Sequence, residues 1–151
     1  MRDRADATLQ TTLVLENFFS GPMRAEGSFV NAWSRSRRGI VIDMVPTWDG
    51  KVLSLDERFV YSDGETDHKI WRLEKTGPGT YAGTREDMLG AGRVWTEGRA
   101  VRLNYVLMLM GMGFDFNETM TLRDDGSVLG RATIKKWGIL IGRVELVIRR
   151  V

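Results

Sequence analysis

The chain has 151 residues, 42% of them hydrophobic and 28% charged, with a formal net charge of +2. That length suits one domain able to bury about two-thirds of the surface its unfolded chain would expose, and nothing in the overall composition points to a disordered chain, collagen or a coiled coil. The absence of cysteine and the single histidine, His68, exclude disulfides, thiolate metal sites, a cysteine nucleophile and multi-histidine zinc sites.

Basic residues occur as short pairs and one turn cluster interleaved with acids (Arg35, Arg37, Arg38; Lys135, Lys136; Arg149, Arg150), not as the concentrated stripe of a nucleic-acid binder. The start, Met1 to Asp6, lacks the apolar core of a signal peptide, and no apolar run approaches the roughly 20 residues of a membrane span. As written, the chain reads as cytoplasmic and without a transmembrane segment. A periplasmic or envelope location is the alternative if a signal has been removed. Residues 1–14 read as a partly disordered N-terminal segment ahead of one domain, 15–151.

A short helix is expected around Thr11 to Phe19, where Leu9, Leu13, Val14 and Phe18 recur at roughly helical spacing before Ser20-Gly21-Pro22. It would plug one end of the domain, an initial strand being the alternative. Turn signals then recur to the end of the chain, among them Asp-Gly at Asp49-Gly50, Asp63-Gly64 and Asp125-Gly126, each flanked by alternating apolar residues. Between them the strands fall at 23–33, 40–48, 51–61, 66–75, 80–88, 92–97, 99–109, 113–123, 127–137 and 139–150. The expected fold class is all-β: a single antiparallel up-and-down β-barrel of about 8–10 strands, lipocalin- or calycin-like, since closure removes exposed edges.

Two-residue hairpins would fix which side chains share a face. Taken so, Asp125-Gly126 groups Phe114, Phe116, Glu118, Met120 and Leu122 with Leu129, Arg131, Thr133, Lys135 and Trp137. A tight Trp137-Gly138 turn adds Leu140, Val144, Leu146 and Ile148. Asp49-Gly50 and Asp63-Gly64 group Ile40, Ile42, Met44, Trp48, Leu53, Leu55, Phe59 and Tyr61 with Glu57, His68, Ile70 and Arg72. The apolar face of 99–109 carries Tyr105.

Charges on an inward face must be paired, hydrated in a cavity or matched to a ligand. Glu118 with Arg131 and Glu57 with Arg72 would be structural ion pairs in one reading. In the other they line a cavity and hold a ligand head group. His68 and Asp67, adjacent on one strand, point to opposite faces and do not form a dyad. Gly90 to Gly92 is a turn, because no Lys-Ser/Thr helix follows it. The run from Tyr105 to Phe114, with Met108, Met110 and Met112, suits a deformable portal, core packing or a homodimer contact.

Leu15-Glu-Asn-Phe-Phe-Ser-Gly21, Ile42 to Met44 with Thr47 to Gly50, Leu55 to Glu65, Trp71, Tyr81 to Gly83 and Arg131 to Gly138 together resemble the family of domain of unknown function 3833. These are uncharacterised bacterial proteins, among them lipoproteins, taken to be lipocalin-like. Phe114 to Glu118 is a looser match. The resemblance implies the barrel and carries over no catalytic or binding residue. The chain departs from the lipoprotein members in lacking a lipobox cysteine and signal.

The function expected is binding or carriage of a hydrophobic or amphiphilic anionic small molecule, fatty-acid-like, inside the barrel. Its head would lie near Arg131, Lys135 and Tyr105, with Glu118, Glu57, Tyr61 and Arg72 completing the polar set. This needs no catalytic residue, metal or cofactor. The alternatives are an isomerase or cyclase acting on a lipid, with Glu57 or Glu118 as general base, and a structural or interaction module with a packed core.

Overall fold

The computed structural model describes residues 12–151. One helical turn, α1 (Leu15–Phe18), precedes ten strands: β1 (Met23–Asn31), β2 (Arg37–Trp48), β3 (Val52–Tyr61), β4 (Thr66–Gly77), β5 (Thr80–Thr84), β6 (Gly92–Glu97), β7 (Ala100–Leu109), β8 (Met112–Leu122), β9 (Val128–Lys136) and β10 (Ile139–Arg150). Every strand pairs antiparallel with its neighbour in sequence. β1 also pairs β10, from Met23↔Arg150 to Asn31↔Gly142, and this closes the barrel. The expected meander is therefore the observed one, with one notable change of length. The strand expected over 80–88 ends at Thr84, and residues 85–91 leave the wall as the β5–β6 connection, bridged once to β7 between Met88 and Leu107.

Closure brings β1 and β10 close enough that two seam positions, Gly27 and Gly142, must lack a side chain. A Cβ at Gly27 would lie 1.8 Å from the Glu145 carbonyl oxygen, which belongs to the paired backbone and cannot rotate away. Glycine here lets the sheet meet itself.

The expected helix shrinks to a single turn, too short to be stable alone. Packing and three anchors hold it in place. Leu13, Leu15, Phe18 and Phe19 are buried. The Leu13 N–H donates to the Gly98 carbonyl at 3.3 Å, and Arg150 Nη2 donates to the Phe18 carbonyl at 3.0 Å. Glu16 accepts hydrogen bonds from Lys75 Nζ and the Tyr81 hydroxyl. The turn thus stoppers one end of the barrel, above a packed layer that includes Met23, Leu53, Val94, Val101 and Val128. Leu9, and residues 1–11 of the expected N-terminal segment, lie outside the described residues.

The candidate ligand cavity

Which side chains reach the interior depends on loop length at each hairpin. At the first Asp-Gly, the loop residues are Gly50 and Lys51, with the Asp49 N–H on the Val52 carbonyl at 3.3 Å. This loop still has two residues, so the expected faces survive: Ile40 lies opposite Tyr61, Ile42 opposite Phe59 and Met44 opposite Glu57.

The other two Asp-Gly loops contain three residues. The Tyr61 N–H donates to the Glu65 carbonyl and the Gly64 N–H to the Tyr61 carbonyl, both at 2.9 Å, leaving Ser62, Asp63 and Gly64 as the loop. Gly64 takes φ 89°, the left-handed residue that ends such a loop. One extra residue inverts β4. Trp71 and Leu73 face inward, while His68, Ile70 and Arg72 face outward, contrary to expectation. On the outer wall His68 Nε2 lies 2.6 Å from Asp56 Oδ1.

The loop Asp124-Asp125-Gly126 repeats this geometry, with Arg123 N–H on Ser127 O at 2.8 Å and Gly126 at φ 84°. Phe116 therefore lies opposite Ile134 and Glu118 opposite Ala132. The inward orientation expected for Arg131 and Lys135 is overturned. Arg131 is exposed and donates through Nε to Glu145 Oε2 at 3.1 Å, and half-buried Lys135 also lies off the cavity. Neither expected diagonal pair, Glu118 with Arg131 or Glu57 with Arg72, is formed. Val144, Leu146 and Ile148 nevertheless face inward as expected. A register shift between Leu140 and Gly142 supplies a second one-residue offset, which cancels the first.

The barrel encloses a cavity of about 440 Å³, closed at one end by Leu15 and Phe19 and walled mainly by apolar side chains. Of the residues expected inside, Glu57, Tyr61, Tyr105 and Glu118 line it. Glu57 (β3) is buried and takes part in no hydrogen bond or ion pair among the described residues. Desolvation pushes its carboxyl up to about 8, with Arg85 pulling the other way and Glu118 adding repulsion. Across the cavity, the Tyr105 hydroxyl donates to Glu118 Oε1 at 3.0 Å. Burial raises the Glu118 carboxyl against the pull of that bond and of Arg85, and it raises the Tyr105 hydroxyl well above its ordinary value. The Tyr105 ring stacks on Phe116 at 5.2 Å and meets Trp71 edge-on at 5.0 Å, so its hydroxyl is held in direction. Tyr61 sits under the Arg38 guanidinium, 3.7 Å from its ring centre.

Four charged lining residues lay outside the expected set: Arg38 on β2, Asp67 on β4, and Arg85 and Asp87, where the chain leaves β5. Arg85 Nε and Nη2 donate to the two carboxylate oxygens of Asp87 at 2.6 and 2.7 Å. Desolvation opposes both charges, and the pairing outweighs it, lowering Asp87 and raising Arg85. The signal was present in the alternation, because Tyr81 and Gly83 face inward and the same parity continues to Arg85 and Asp87. The cavity lining thus carries four carboxyls, Glu57, Asp67, Asp87 and Glu118, and two guanidiniums that are both already engaged, Arg85 by Asp87 and Arg38 by Asp63 and Glu65. Among the described residues no group of three or more His, Cys, Asp or Glu is placed to hold a metal ion, and no helix is long and apolar enough to cross a membrane.

A closed antiparallel meander, stoppered at one end around an apolar cavity, is a lipocalin-like barrel. The profile of DUF3833, proteins of unknown function, matches residues 3–150, and the chain belongs to that family. No curated protein matches the chain. Among solved structures it is similar to the S-type phycobiliprotein lyase CPES from Guillardia theta, with TM-score 0.67, 12% identity and 93% of each chain covered. It is also similar to EF1p2_mFAP2b bound to DFHBI, with TM-score 0.49, 9% identity, and 90% of this chain and 96% of that one covered. A redesigned β-barrel, mFAP1, bound to DFHBI, gives TM-score 0.47 at 9% identity, covering 89% and 96%. These likenesses concern the fold.

Proposed function

We propose that the protein binds a hydrophobic small molecule inside the barrel and meets its polar end with a cluster of carboxyl groups. The carrying observation is Glu57: a carboxyl on a buried residue that makes no hydrogen bond among the described residues and opens onto an apolar cavity of a size common for small-molecule sites, about 300–1,000 Å³. A carboxyl that reaches only cavity space and has no protein partner finds its hydrogen-bond partner in whatever fills that space, which is the place of a ligand's polar end. The apolar chain of the expected amphiphile is retained in this reading. Its anionic head is not, because Arg131 and Lys135 face outward, Arg85 is occupied by Asp87, and Arg38 by Asp63 and Glu65. A hydroxyl or amine head suits the Glu57, Glu118 and Tyr105 cluster better than a carboxylate.

Displacement of a neutral solvatochromic dye by long-chain alcohol, amine and fatty acid of equal chain length tests this. The alcohol and amine should compete at least tenfold better than the acid, and Ala132→Trp, which fills the cavity, should abolish dye binding. Equal or better competition by the acid, or dye binding that survives Ala132→Trp, would overturn it.

A second reading is favoured by the same residue. A carboxyl raised to about 8 holds its proton at neutral pH and releases it just above, so Glu57 has the properties of a group that exchanges a proton with a bound ligand, as general acid or, once ionised, as general base. Chemical change in a bound ligand that stops in Glu57→Gln would select this reading over simple carriage.

A further inference from the structure

The end of the barrel opposite α1 carries large apolar side chains at its hairpin tips. Met110 is 91% exposed, Trp137 80%, Trp33 74% and Leu89 64%, with Met112 and Ile139 also exposed. Hydrogen bonds join these tips into one arc. Trp33 Nε1 donates to the Leu140 carbonyl at 3.1 Å, Lys136 Nζ to the Gly113 carbonyl at 2.6 Å, and the Leu89 N–H to the Val106 carbonyl at 2.9 Å. Leu109 and Met110 also line the cavity, so the arc is continuous with its mouth.

Two further observations say what covers this arc. The first is charge. The tip segments 32–37, 88–91, 109–113 and 135–140 contain Arg35, Arg37, Lys135 and Lys136 and no acid, and none of these four cations is in an ion pair among the described residues. The nearest carboxylate in register is Asp115, opposite Lys135 on the outer wall. The other acids at this end are paired: Asp63 and Glu65 with Arg38, Asp67 and Glu86 with Lys69, and Asp87 with Arg85. The second is backbone. Met110 and Trp137 begin two-residue turns at φ 51° and 52°, each followed by a glycine at positive φ. Such turns favour Asn, Asp or Gly, and a bulky residue there is an outlier. The chain holds Met and Trp at two strongly exposed turn positions against local preference, which points to a partner for those side chains.

We propose that this end of the barrel seats on an anionic lipid surface. Trp33, Met110 and Trp137 enter the boundary between head groups and acyl chains, the region where amphipathic indoles concentrate, and the four cations meet the anionic head groups. The cavity mouth then opens onto the bilayer. Docking of this kind goes beyond cavity binding and stands even if the cavity ligand is of another class.

Flotation with phosphatidylcholine vesicles, with and without phosphatidylglycerol, tests it. The wild-type protein should float with the anionic vesicles, the more so at low salt. The Trp33→Ser/Trp137→Asn pair should weaken partitioning at least tenfold, while melting at or near the wild-type temperature, because Asn suits the left-handed turn. Arg35→Gln and Lys136→Gln should each reduce binding to anionic vesicles roughly fivefold and leave binding to neutral ones unchanged. Dye binding inside the barrel should persist in the double tryptophan variant, since neither residue lines the cavity, so failure of docking and failure of cavity binding read out separately. Absence of flotation with either vesicle, or unchanged flotation of the tryptophan variant, would overturn the proposal. So would a concentration-dependent dimer in sedimentation equilibrium that the same pair of substitutions dissolves, since the arc would then be covered by a second copy.

Discussion

The Tyr105 hydroxyl and the Glu118 carboxylate meet at 3.0 Å between adjacent strands β7 and β8, inside the cavity. The registers put Tyr105 opposite Phe116 and Glu118 opposite Leu103, so the contact is a diagonal one across the inner face. Tyr105→Phe keeps the ring stack with Phe116 and the edge contact with Trp71 and removes only the donor. It should destabilise the protein by about 1–3 kcal/mol, the cost of leaving a buried acceptor unsatisfied. Urea unfolding of both proteins at pH 7 measures this, and a change indistinguishable from zero would mean that water replaces the hydroxyl.

Glu57 should make stability fall as the solution becomes alkaline. Its carboxyl is raised from an ordinary 4.5 to about 8 in the folded chain. Below 4.5 both states hold the proton and the contribution is complete. Between 4.5 and 8 the unfolded chain releases the proton and the folded one retains it, so stability is lost as pH rises through the folded value. Glu57→Gln cannot titrate and should flatten this slope, with a gain on the order of 3 kcal/mol at pH 8 over wild type relative to the difference at pH 4. Unfolding curves across pH 4–9 for both proteins check it, and parallel profiles would contradict it.

Glu16 should act in the opposite direction and in acid. Desolvation raises its carboxyl, but hydrogen bonds from Lys75 and Tyr81 outweigh this and leave it below its ordinary value. A depressed folded value means that the stabilisation is present above the unfolded value near 4.5 and is lost as pH falls through the folded one. Glu16→Gln should cost about 1–3 kcal/mol at pH 7, lack this acid component, and expose the stoppered end to faster amide exchange at Leu13, Phe18 and Phe19. Exchange followed by mass spectrometry would reveal equal protection if the anchor is dispensable.

The seam should discriminate between two glycines. Gly27→Ala forces a Cβ onto the Glu145 carbonyl and should destabilise by at least about 2 kcal/mol, by opening the β1–β10 pairing. Gly130→Ala, where the nearest atom to the new Cβ is 3.8 Å away, should be close to neutral. Comparable melting temperatures for the two variants would mean that the seam adjusts freely.

The strand count, the strand positions and closure were legible in the sequence because they rest on local chemistry. Alternation marks a half-buried strand, Asp-Gly marks a reversal, and a ten-strand meander has only closure as a way to hide its edges. The inner faces of β2, β3 and β7 followed for the same reason, and with them Glu57, Tyr61 and Tyr105. Glu118 faces inward because β8 carries an unbroken alternation of its own, Phe114, Phe116, Glu118 and Met120.

Tertiary structure alone decided β4, β9 and the charge of the cavity. An Asp-Gly dipeptide serves in a two-residue loop and in a three-residue one alike, and the choice is made by how the strands on either side pack, not by the dipeptide. Side chains alternate with a period of two, so that one residue inverted a whole strand, moved Arg72, Arg131 and Lys135 outside and brought Trp71, Ala132 and Ile134 in. A register shift near Ile141 then concealed the error at Val144, Leu146 and Ile148, which an apolar pattern places correctly from either side of it. Arg85 and Asp87 continue the inward parity of Tyr81 and Gly83, and what only the folded β5–β6 connection supplied is their pairing, which leaves the Arg85 guanidinium engaged.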